Sequence, residues 1–271
     1  MHFEEASIGN TGLTDGNLKR SRYIATNRFK VRDNAGAKFE KRWADRKSRL
    51  AQLDGFRFFT LLKRTVDSPT TDEGLFGNYI SLTVWEDKDS FDAWRTGDAF
   101  KEAHGGGGIT GFIQLLTTAI FILDGGPKPA FFDGLDPQFN SNHNIHPALE
   151  GGWRTVDADG VNFINPDIFM SQYRFRVPQG SEVDFEKACL ERTGGLNQHA
   201  GFIGNYLMRR DATKADGSFN YIVSTIWKNR DSYQKFQSSG DISTPLSTVL
   251  NVVAVPAYYE GKLALVSSKG G

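Results

Sequence analysis

The chain has 271 residues, 39% hydrophobic and 24% charged, which suits a soluble globular protein of one large or two small domains. Its 32 basic and 32 acidic residues cancel, and no long basic run stands out, so the electrostatic footprint of a nucleic-acid or anionic-membrane binder is missing. The single cysteine, Cys189, excludes an internal disulfide and points to a reducing compartment, and no apolar run reaches the roughly 18 to 20 residues of a membrane helix.

Residues 1–20, rich in Gly, Asn and Thr, read as a loose N-terminal arm. Residues 22–31 have the β-branched and aromatic alternation of a strand. Phe39, Trp43, Leu50 and Leu53 recur at helical spacing and predict an amphipathic helix over 37–53, ended by Gly55. A second strand follows over 56–63, a polar loop over 67–74 and a third strand over 78–85. Ser90, after Asp87-Lys88-Asp89, starts a helix carrying Phe91 and Trp94. The apolar run 115–123 reads as a fourth strand. The segment 125–168, rich in Gly, Pro, Asn and Asp, reads as a connector that wraps the protein, with a short hairpin near Asp157-Ala158-Asp159-Gly160. Beyond it the same plan returns: strand 169–177, helix 181–193, strands 202–210 and 219–227, helix 231–239 and strand 249–258.

The recurrence is an internal duplication. Asn27-Arg28-Phe29-Lys30-Val31 answers to Tyr173-Arg174-Phe175-Arg176-Val177, Phe39-Glu40-Lys41 to Phe185-Glu186-Lys187, and Gly55-Phe56 to Gly201-Phe202, at an offset of 146 (175−29, 185−39, 201−55). The offset falls to 142 for Trp85 and Trp227 and for Asp89-Ser90-Phe91 and Asp231-Ser232-Tyr233, so the second copy lost four residues from one loop (146−142). Each copy has the order β-α-β-β-α-β. The expected fold is therefore α+β, two tandem ferredoxin-like (βαββαβ) units over 21–124 and 169–265. Each sheet with helices on one face leaves its other face bare. Packing the two bare faces together gives a dimeric α/β-barrel arrangement inside one chain, an intrachain pseudo-dimer, which makes a monomer sufficient.

Val84-Trp85-Glu86-Asp87-Lys88-Asp89-Ser90-Phe91-Asp92-Ala93-Trp94 and the following Asp98-Ala99-Phe100-Lys101-Glu102-Ala103-His104, together with Asn27-Arg28, resemble the IsdG-type heme-degrading monooxygenases (heme oxygenases) of the antibiotic biosynthesis monooxygenase superfamily. The resemblance covers 22–123 well and only the scaffold of 169–260. It implies a heme that is both cofactor and substrate, with O2 and an external electron donor as further partners. By the same resemblance His104 is the proximal ligand of the heme iron, Asn27 the distal asparagine that hydrogen-bonds oxygen species, and Trp94 the indole pressed against the porphyrin. Phe100, in the same motif, joins the cofactor-binding set.

Each role has a chemical reason. A neutral imidazole is a good donor to heme iron. An amide donates an N–H without titrating. A bulky ring against the macrocycle distorts it, one of the levers a protein has over heme. On an unbroken helix, residues ten apart lie roughly 80° apart in projection. Trp94 and His104 then face one groove, unless Gly97 breaks the helix between them.

In the second copy Tyr173 replaces Asn27, Phe236 replaces Trp94, and Leu246 falls where His104 stood, while Phe175, Gly201 and Trp227 are kept. One heme site per chain, in the first unit, is the expectation. Gly105-Gly106-Gly107-Gly108 lacks the pattern of a phosphate loop, His143 and His146 have no third ligand nearby in sequence, and His199 and Cys189 show no partner pattern. Two other functions fit the same scaffold. A non-catalytic heme sensor or carrier needs His104 but not Asn27. A cofactor-independent quinone-forming monooxygenase needs an apolar pocket but no iron ligand. The N-terminus has no signal-peptide pattern, so the expected location is the cytoplasm, or an organelle such as a plastid if a transit peptide has been removed.

Overall fold

A computed structural model describes residues 16–45, 49–68, 77–103, 121–139, 157–158, 162–163, 167–211, 219–240 and 253–266. The first unit is built from β1 (Arg20–Phe29), α1 (Gly36–Ala44), β2 (Phe56–Arg64), β3 (Tyr79–Trp85), α2 (Lys88–Thr96), α3 (Asp98–Ala103) and β4 (Lys128–Phe139). A two-stranded hairpin, β5 (Asp157–Ala158) with β6 (Asn162–Phe163), sits where the Asp-Gly turn predicts one. The second unit comprises β7 (Phe169–Arg176), α4 (Glu182–Thr193), β8 (Phe202–Arg210), β9 (Tyr221–Trp227), α5 (Arg230–Ser238) and β10 (Val253–Val266). Eight of the strands close into one barrel in the order β1-β3-β2-β10-β7-β9-β8-β4, with every pairing antiparallel. The expected pseudo-dimer of ferredoxin-like units is therefore present in one chain.

The barrel closes through its two longest strands. β4, of 12 residues, pairs with β1 of its own unit (Thr26 opposite Ala130) and then crosses to β8 of the other (Phe132 opposite Arg210). β10, of 14 residues, does the same in reverse, with Gln172 opposite Ala257 on β7 and Tyr259 opposite Arg64 on β2. The matching register has a sequence cause: Pro129-Ala130-Phe131-Phe132-Asp133-Gly134 on β4 repeats as Pro256-Ala257-Tyr258-Tyr259-Glu260-Gly261 on β10, at an offset of 127 (256−129).

This corrects the expected fourth strand. β4 lies inside the segment read as connector. Residues 115–120 of the predicted strand lie outside the described residues. Of its remainder, Phe121 is helical and Leu123 makes a single bridge to Val31. A short apolar run does not tell a strand from other buried chain, and Ile122 and Leu123 are simply buried against the first unit's helix-side core. The last strand likewise runs later than the predicted 249–258. The helix predicted over 37–53 stops at Ala44. Leu50, Ala51 and Leu53 still pack on the same core, but from a separate 3-10 turn over Leu50–Gln52.

Strand alternation sorts the side chains into two layers. Ile24, Phe58, Leu62, Leu82 and Val84 from the first unit meet Met170, Tyr206, Met208, Ile226 and Tyr259 from the second inside the barrel. Burying each such apolar side chain contributes about 1.5–3 kcal/mol. The opposite faces take the helices: Tyr23, Phe29, Phe39, Trp85 and Phe91 in one unit, Phe169, Phe202, Trp227, Tyr233 and Phe236 in the other.

The duplication holds at the level of contacts. Phe56 meets Trp85 edge-on at 5.3 Å and 71°, and Phe202 meets Trp227 at 5.4 Å and 70°. Asp87 caps α2 by accepting from the Ser90 N–H at 2.8 Å, and Asn229 caps α5 by accepting from the Ser232 N–H at 2.9 Å. Gly55 and Gly201 have φ of 69° and 84°, and a Cβ on either would run into the Ser90 or Ser232 hydroxyl. Only glycine meets both demands.

The N-terminal segment is anchored from Leu18 onward. The Leu18 N–H donates to Glu186 Oε2 at 2.6 Å, and Arg209 Nη1 donates to the Leu18 carbonyl at 3.2 Å. Glu186, 1% exposed, also accepts from Arg209 and Tyr221. Among the described residues no helix is long and apolar enough to cross a membrane.

Candidate functional site

Asn27 lies on β1 between Ala25 and Phe29, opposite Ser81 of β3 and Pro129 of β4. Ala25 and Phe29 belong to the helix-side core, so alternation turns Asn27 to that side as well, where it is half-buried. Trp94 packs onto the same core from α2. Its ring is braced by Trp85 at 5.4 Å, Phe91 at 5.8 Å and Phe100, edge-on, at 5.0 Å. α2 ends at Gly97, whose N–H closes onto the Trp94 carbonyl at 3.1 Å. A new helix, α3, then carries Phe100 and ends at Ala103. Helical projection across Gly97 therefore does not relate Trp94 to His104. The structure brings Asn27, Trp94 and Phe100 to one unit and one side of its sheet. His104 and Gly105 to Gly108 lie outside the described residues, as do His143 and His146.

Three rings frame this side of the first unit. Tyr23 and Phe91 are 5.2 Å apart, Tyr23 and Phe131 6.3 Å, and Phe91 and Phe131 5.5 Å. The second unit repeats the frame with Phe169, Tyr233 and Tyr258, at 5.2, 6.1 and 5.7 Å. With the frames alike, the difference falls on Asn27. Its counterpart Tyr173 reaches the centre of the second frame, its hydroxyl 3.2 Å from that of Tyr233, which also accepts from Gln237 Nε2 at 2.9 Å. Burial, then the contact with Tyr173, pushes the Tyr233 phenol far above its ordinary range, so Tyr233 stays protonated. Phe236, in place of Trp94, lies flat on Trp227 at 4.8 Å and meets His199 at 4.8 Å. The second unit's groove is thus packed with its own rings, whereas the first has a short amide at the corresponding centre.

Sequence reasoning missed Tyr23 and Phe131. Tyr23 donates to Asp211 Oδ2 of the second unit at 2.7 Å, and burial, reinforced by that bond, raises its phenol. Phe131 lay in the segment taken for connector, and the signal that could have found it is the Pro-Ala-aromatic-aromatic repeat. Cys189, 1% exposed, has its thiol pushed up to about 12 by burial and then by Glu186, which makes it an inert core residue. Among the described residues no three His, Cys, Asp or Glu side chains converge as a metal site.

Comparison with known proteins agrees with the two-unit reading. The profile of the antibiotic biosynthesis monooxygenase family matches residues 22–106 and 168–244. A heme oxygenase (staphylobilin-producing) of Staphylococcus haemolyticus is similar at 33% identity over 82 residues, 30% of this chain and 72% of the relative. Among solved structures, a candidate monooxygenase of Fusobacterium nucleatum has a TM-score of 0.56 at 12% identity, covering 94% of this chain and 97% of its own. One of Lactobacillus acidophilus has a TM-score of 0.54 at 10% identity, covering 91% and 96%. At such identities the two structures speak for the fold alone. The profile matches fall on both halves of the barrel and span more than half of the sequence, and the chain belongs to the antibiotic biosynthesis monooxygenase family.

Proposed function

We propose that the chain is a heme oxygenase of the IsdG type, which binds heme in its first unit and opens the porphyrin with O2 and electrons from an external donor, releasing iron and a linear tetrapyrrole. The observation that carries the reading is the contrast between the two grooves: Tyr173 fills one and Asn27 leaves the other short of a ring. The similarity to a heme oxygenase at 33% identity supports it.

The residues present fit a flat, largely apolar macrocycle. Phe91, Phe131 and Trp94 offer aromatic surface that excludes water. Trp94, braced on three sides, resists displacement and would press on the ring rather than yield to it. Asn27 would direct an amide N–H at the distal side without taking up or losing a proton. His104 would hold the iron through its imidazole. The heme, once bound, supplies the redox chemistry, and the protein positions, distorts and dries it. The second unit contributes half of the barrel and no second site.

Aerobic incubation of the heme-loaded protein with a chemical reductant tests the proposal. Loss of the Soret band with stoichiometric iron release is expected. A stable Soret band defeats the catalytic reading and leaves a heme carrier. Quinone-forming activity that survives His104→Ala, with no heme needed, defeats the heme reading itself.

A further inference from the structure

Asn27 has a polar neighbour that the second unit lacks. On the helix side of the first unit's sheet, the antiparallel registers place Asn27, Ser81, Leu61 and Leu263 side by side across β1, β3, β2 and β10. The second unit has the same row in Tyr173, Val223, Leu207 and Leu135, across β7, β9, β8 and β4. Both leucines are kept. The other two positions differ, and they differ together: an amide beside a hydroxyl in the first unit, a phenol beside an isopropyl group in the second.

Ser81 is 5% exposed. Its strand neighbours Ile80 and Leu82 face into the barrel, so its hydroxyl lies on the Asn27 side. Directly opposed residues on one face of an antiparallel pair have Cβ atoms roughly 4.5–5.5 Å apart, near enough for both side chains to reach one atom between them. Nearby hydroxyls are already engaged: Thr83 donates to the Ala25 carbonyl and Thr26 to the Ala130 carbonyl, each at 3.2 Å. The Ser81 and Asn27 side chains make no hydrogen bond to each other or to any other described residue. A buried hydroxyl in that state is unfavourable, and Val223 shows that a hydrocarbon serves the packing at this position.

We propose that Ser81 is a second donor in the first groove, whose hydroxyl joins the Asn27 amide in holding one small acceptor ligand at the heme. The inference rests on the heme reading above. Two neutral donors suit the task, because neither gains nor loses a proton as the ligand's charge changes. The surrounding apolar side chains strengthen each bond by keeping the local dielectric low. The second unit, with a phenol in place of the amide, has no use for a donor at Val223.

Fluoride titration of the ferric, heme-loaded full chain tests it, because fluoride accepts hydrogen bonds at the iron and is not turned over. Ser81→Thr and Ser81→Val give side chains of the same shape that differ in the hydroxyl, and both suit a strand. Ser81→Val should weaken fluoride about tenfold, and Ser81→Thr should stay within about twofold of wild type. Hemin affinity should match wild type in both variants, which separates this inference from the heme reading. Equal fluoride affinity in Ser81→Val and Ser81→Thr, or a fall in hemin affinity as large as the fall in fluoride affinity, would overturn the inference and leave the heme reading standing. Failure of the wild type to bind hemin would overturn both.

Discussion

Tyr173 Oη lies 3.2 Å from Tyr233 Oη in the second unit, at the position that Asn27 holds in the first. The surrounding rings match in spacing, so this exchange puts a short amide in the first unit where the second has a phenol. Asn27→Tyr should therefore close the first groove in the way the second is already closed. Hemin affinity should fall about a hundredfold, some 3 kcal/mol. The fold should survive with a loss of about 1–2 kcal/mol, because the new hydroxyl meets Phe91 rather than a phenol. Adding Phe91→Tyr should restore most of that stability and none of the hemin binding. Absorbance titration and chemical denaturation check the two halves of this expectation.

The units are also tied by charge. Arg230, at the start of α5, donates to both oxygens of Asp67 at 2.6 and 2.8 Å. The Arg230 guanidinium, with Thr65 beside it, holds the Asp67 carboxyl well below its usual 3.8. A carboxyl depressed in the folded state adds stability that is fully present above the unfolded pKa and is lost as pH falls from there through the folded pKa. The pair is largely solvent-exposed, so its worth is about 0.5 kcal/mol. Asp67→Asn should lower the melting temperature slightly at pH 6 to 7, and the difference from wild type should begin to shrink as the pH drops below about 3.8 and vanish only once it passes the lower folded value. Paired thermal melts across that range measure it.

Gly55 and Gly201 make the third case. Gly55→Ala forces a Cβ into the Ser90 hydroxyl at a positive φ and should cost about 2 kcal/mol or more. Ser90→Gly in the same chain removes the clash but not the backbone strain, so denaturant melts should show partial rescue. Gly201→Ala with Ser232→Gly should behave alike, because the two corners are built the same way.

Much of the fold was legible because the duplication repeats physical constraints as well as letters. Gly55 and Gly201, and Trp85 and Trp227, each do in space what their matched positions suggested. The fourth strand was misread because the run 115–123 is apolar without a period that marks a strand, while the real strand begins at Lys128 with a proline and contains a glycine. Its evidence was a further repeat, Pro129 to Gly134 against Pro256 to Gly261, at an offset (127) smaller than the one followed along the chain. That second drop, from 142 to 127, means the second copy is 15 residues shorter between Phe91 and Pro129, the stretch that contains His104. Asn27 and Trp94 were singled out as candidates through family resemblance. Tyr23 and Phe131 were not, since their place depends on pairings between units that only closure of the barrel defines.

The most direct test of the account is an absorbance titration with hemin on wild type and His104→Ala. A single site per chain in the first unit predicts a wild-type Soret band that saturates at one hemin per chain and is lost or markedly shifted in His104→Ala, with the circular dichroism spectrum unchanged. Saturation at two hemins per chain, or the same Soret band in both proteins, would contradict it.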